Sequence, residues 1–68
     1  MTQQDPAEIA RKLAEIRQEH RDLDQAINLL ALDPQVDQLQ LTRMKKRRLR
    51  LKDWITVLES QMIPDLDA

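Results

Sequence analysis

The sequence predicts an all-α fold: an antiparallel, coiled-coil-like two-helix hairpin that assembles into a helical bundle by oligomerisation. Three observations carry this expectation. Ile9, Leu13, Ile16, His20, Leu23, Ile27 and Leu30 recur at alternating spacings of four and three, and Leu41, Met44, Arg48, Leu51, Ile55, Leu58 and Met62 at three and four. Each series averages one seam residue every 3.5 positions, the repeat of a coiled-coil seam. Asp33-Pro34 interrupts them once, at the point where a hairpin must turn. Folding the second series back on the first also matches every member at a single register: Leu30–Leu41, Ile27–Met44, Leu23–Arg48, His20–Leu51, Ile16–Ile55, Leu13–Leu58 and Ile9–Met62.

The whole chain, residues 1–68, reads as one domain. The first helix is expected over about 6–32. Asp5 is placed to cap it, Pro6 suits the first helical position, and Glu8 completes a capping-box spacing. Pro34 ends it, since proline lacks the N–H and forces Asp33 out of the α region. A loop follows over about 33–37, in which either Asp33 or Asp37 caps the second helix. That helix is expected over about 38–62, ended by Ile63-Pro64, with 63–68 an acidic tail.

A seam closed by only two helices leaves both of its flanks open to water. So small a chain, with no cysteine to cross-link it, gains little stability from one such seam. A dimer forming a four-helix bundle, or a higher oligomer, is therefore expected to cover the flanks, either as intact hairpins or with helices exchanged at Asp33-Pro34. Trp54 borders the seam opposite Glu19, with Val57 one turn on and Leu49 near. Leu49, Trp54 and Val57 are the candidate oligomer interface, since large aromatics beside an open seam are common interface anchors.

His20, Asp24, Lys45 and Arg48 form a candidate polar cluster in the seam. Arg48 faces Leu23, and Asp24 lies beside it, within reach of Arg48 and Lys45. A polar residue at a core heptad position lowers stability but specifies register, which is the first reading of His20. A pH switch, open to any imidazole, ranks second, and a metal ligand ranks last, because there is one histidine, no cysteine and no second ligand at the following turn. Lys52 flanks the seam on the side of Arg17, so the two like charges either splay into solvent or meet an acidic group of another subunit.

Seven of the ten residues from Arg43 to Lys52 are basic. On a helical wheel Arg43, Lys46 and Arg50 project away from the first helix, with Arg47 at the seam edge. This candidate basic face suits an anionic or protein partner. Nucleic acid is the less favoured occupant, given a net charge of −1 and no aromatic stacking platform. No enzymatic activity is expected. The lack of glycine excludes phosphate-cradling loops and nucleophile elbows, and no nucleophile–base pair is evident. No catalytic, cofactor-binding or metal-binding residue is therefore assigned. The N-terminus lacks a basic, signal-like segment and no apolar run approaches a membrane span, so no membrane association and a cytoplasmic location are expected.

Two segments carry a family resemblance. His20-Arg21-Asp22-Leu23-Asp24-Gln25-Ala26-Ile27 resembles the H-x-x-L-D-x-x-I signature of the YdcH-like small bacterial proteins. The stretch from Met44 to Ile55 resembles that family's L-K-x-x-K-L-x-L-K-D-x-I segment, with Met44 in place of leucine and Trp54 where a polar residue is commoner. The resemblance implies a short helical hairpin in bacterial cytoplasm with no assigned activity. It marks His20, Leu23, Asp24, Lys45, Lys52 and Asp53 as motif positions. The resulting expectation is a non-enzymatic, self-associating structural or adaptor module whose partners are itself and an unidentified protein. The alternative is an accessory nucleic-acid- or ribosome-associated protein.

Overall fold

A computed structural model describes residues 5–62, which form two helices, α1 (Pro6–Ala31) and α2 (Gln38–Met62), packed as an antiparallel hairpin. The expected terminator Ile63-Pro64 and the acidic tail lie outside the described residues.

Asp5 caps α1 from extended backbone, its carboxylate accepting from the Ala7 N–H at 3.2 Å. Glu8 donates its N–H to the Asp5 carbonyl instead, at 2.9 Å. Its side chain places a negative charge in the first turn, where the helix dipole favours one. At the other end Leu32 and Asp33 donate to the carbonyls of Leu29 and Leu30, satisfying acceptors that the helix leaves open. Both aspartates of the loop then act, at different points. Asp33 Oδ1 accepts from Gln35 N–H at 2.9 Å, making a local turn, and Val36 donates to the Asp33 carbonyl. Asp37 is the cap of α2: its Oδ1 accepts from Leu39 N–H at 3.0 Å and from Gln40 N–H at 3.4 Å.

The core is the seam. Ile9, Leu13, Ile16 and Ile27 of α1 are buried with Leu41 and Leu51 of α2, and Leu51 retains only 1% of its surface. His20, Leu23, Leu30, Met44, Arg48, Ile55 and Leu58 are half-buried at the remaining seam positions. Met62 departs from the expected layer with Ile9 and is exposed. It is the last residue of α2.

Candidate interaction surface

Two open flanks run the length of the hairpin, one on each side of the seam. Heptad geometry assigns Lys12, Glu19 and Ala26 of α1 to one flank, with Arg47 and Trp54 of α2. The other carries Arg17 and Asp24 with Lys45, Lys52 and Glu59. Cross-helix ion pairs tie each flank: Arg47 Nη2 donates to Glu19 Oε2 at 2.8 Å, and Arg17 donates to Glu59.

The structure resolves the expected polar cluster into one pair. Arg48 Nη1 donates to Asp24 Oδ1 at 2.6 Å. Lys45 is exposed and, among the described residues, has no carboxylate within ion-pairing distance; His20 is half-buried outside the pair. Arg17 follows neither expected course, splaying unpaired into solvent or meeting an acidic group of another subunit. Glu59 of the same chain reaches it, one heptad beyond Lys52. Among the described residues Lys52 remains without such a partner.

Trp54 and Val57 stand 53% and 52% exposed and line one groove with Lys12, Ile16 and Leu58. Glu19, which the register sets opposite Trp54, pairs with Arg47. Leu49 is 62% exposed but lies elsewhere. Five residues of α-helix rotate it about 140° from Trp54, onto the opposite flank. A second groove on the Trp54 flank is lined by Leu23, Ala26 and Met44 between the charges of Asp22, Arg43 and Arg47. Both grooves are apolar at the base and open at the surface.

The expected basic face loses one member to the hairpin itself, since the Arg47 guanidinium is held by Glu19. Arg43, Lys46 and Arg50 are exposed, and among the described residues none has a carboxylate within 4 Å. Glu59 was not singled out by sequence, and Glu19 only as the residue opposite Trp54, although their heptad positions at the seam edge among basic residues were the available signal. Among the described residues no group of three or more metal-ligating side chains is gathered, and no helix is long and apolar enough to cross a membrane.

The model of one protein family, DUF465, matches residues 13–59, more than two thirds of the chain and both sides of the hairpin. The chain belongs to the DUF465 family. That family is described as a protein of unknown function. The matched span of this DUF465 hairpin contains both cross-helix ion pairs of the flanks and the Arg48–Asp24 pair. No curated protein and no solved structure matches the chain.

Proposed function

We propose that this DUF465 hairpin is a non-enzymatic, self-associating structural or adaptor module acting in the cytoplasm, which presents a charged helical face to a protein partner. The observation that carries the reading is the unfinished seam. Leu23, Met44, Ile55 and Leu58 are only half-buried, and Trp54 and Val57 stand exposed beside them. A second hairpin is the simplest cover for an apolar strip of that length, because it closes a bundle in which each helix has two neighbours. The grooves are open at the surface and no nucleophile–base pair lines them, which supports a binding role over catalysis. Sedimentation equilibrium over a micromolar concentration range tests it: a concentration-dependent rise in mass is expected, and a folded monomer throughout removes the proposal.

A second reading has one specific observation in its favour. Arg43, Lys46 and Arg50 project from α2 with no carboxylate partner among the described residues, a stripe able to contact phosphates by counterion release. Three such charges yield weak, steeply salt-dependent affinity. Titration with RNA or DNA at low ionic strength separates the readings, since no binding there eliminates this one.

A further inference from the structure

We infer that a second copy docks on the flank bearing Trp54 and Arg47, with the two hairpins pointing the same way so that α1 of each copy lies on α2 of the other. This rests on the self-association proposed above and names its surface and orientation.

Three independent features converge on that flank. Both apolar grooves open onto it: the one holding Trp54, Val57 and Ile16, and the one floored by Leu23, Ala26 and Met44. Of its innermost charges, Glu19 and Arg47 are already closed within the chain, so covering that pair strands no lone ion, and among the described residues Lys12 at the edge of the Trp54 groove is the one left without a carboxylate partner. Its outer rims carry opposite signs. Heptad position places Glu8, Glu15 and Asp22 along the α1 rim, and Arg43 and Arg50 along the α2 rim. The opposite flank has no such complementarity. Once Arg17 has Glu59 and Arg48 has Asp24, the charges left there are Arg21, Lys45 and Lys52, and a second copy would meet like with like.

The rims also select the orientation. Copies stacked head to tail about a twofold axis across the helices set α1 on α1 and α2 on α2, acid against acid and base against base. A twofold axis along the helices instead sets the acidic rim of each copy on the basic rim of the other. In the register of the hairpin, Asp22 and Arg50 differ by one residue in height, about 1.5 Å. In this dimer they therefore meet across the interface, twice. Within one chain they sit on opposite outer rims; Asp22 there accepts from Gln18 Nε2 at 2.9 Å, and Arg50 is exposed. The same axis sets each copy's Trp54 groove against the other's, so the two indoles cover each other's Ile16–Leu58 step.

Charge reversal in trans is the test. Asp22→Lys and Arg50→Glu should each weaken dimerisation about tenfold or more by sedimentation equilibrium. Mixing the two variants should restore wild-type affinity, because each heterodimer interface then pairs Lys with Glu or Arg with Asp. A loss confined to contacts within one chain is not rescued by mixing, so failure of rescue overturns the inference. Leu49→Lys, on the opposite flank, should leave dimerisation unchanged. If it alone dissociates the protein, self-association stands but on the other flank. A wild-type chain that remains monomeric overturns both this inference and the reading beneath it. Orientation is read separately from a spin label at Gln35→Cys, the chain having no cysteine of its own. Labels at one end of the dimer give a distance well below a helix length of about 40 Å, whereas a distance near that length means opposed hairpins.

Discussion

Arg48 and Asp24 meet across the hairpin at 2.6 Å, one residue beside the layer in which Arg48 was expected to face Leu23. The arginine occupies a seam position, yet its charged end leaves the apolar interior and reaches the flank, with 31% of its side chain exposed. The aliphatic stem packs while the guanidinium stays wet. Such a half-exposed pair contributes less than about 1 kcal/mol. Asp24→Asn should therefore lower stability by about 0.5 kcal/mol in urea denaturation. Arg48→Leu should be neutral or stabilising, since a seam leucine replaces an ion that must remain hydrated. A loss above about 2 kcal/mol from Arg48→Leu would mean that the pair is much better shielded than these exposures indicate.

Leu51 and Leu49 are near neighbours in sequence with opposite fates, 1% against 62% exposed. Truncating the first removes packing from the centre of the seam, with no spare core to relax into the space. Leu51→Ala is expected to cost about 2–5 kcal/mol, enough to unfold much of so small a hairpin at room temperature. Leu49→Ala should stay within about 0.5 kcal/mol of wild type. Circular dichroism at 222 nm during thermal denaturation compares the two directly. Equal losses would be incompatible with the seam as described.

The loop offers a similar contrast between Asp33 and Asp37. Asp37 Oδ1 accepts from two N–H groups at the start of α2, whereas Asp33 Oδ1 accepts from one within the turn. Asp37→Ala should cost about 1 kcal/mol, the usual effect of losing an N-cap. Asp33→Ala should cost less, because Pro34 still restricts the chain there and α2 keeps its cap. The midpoints of urea denaturation rank the two variants, and the reverse order contradicts this assignment of the cap.

The hairpin itself was legible because two seams with matching spacing and a proline between them leave little choice of fold. Spacing says which residues meet at one level. It does not say how far a long side chain leans along the helix. Arg17 was therefore set beside Lys52, when its guanidinium spans to Glu59, and Asp24 was shared between Arg48 and Lys45 when Arg48 alone takes it. Leu49 was grouped with Trp54 by nearness in the chain, although their positions on the wheel already separate them. Asp33 and Asp37 had equal claims as caps, since both are aspartates ahead of α2. The local turn that Asp33 makes with Gln35 is what settles their roles.

Trp54 is the sole tryptophan, so its emission reports on one place only. In the single hairpin about half of its surface faces water, beside a groove that Val57 and Ile16 share. Association through this flank moves the indole from a wet to an apolar setting. The emission maximum should then shift to shorter wavelength as concentration passes through the dissociation constant, and acrylamide quenching should fall in parallel. Trp54→Ala should weaken association about tenfold or more, as expected for an aromatic anchor near the middle of an interface. It should leave the helical content of the hairpin nearly unchanged, because the buried seam residues are untouched. An emission maximum that stays constant while the sedimenting mass doubles would place Trp54 outside the contact and move the docking surface to another face.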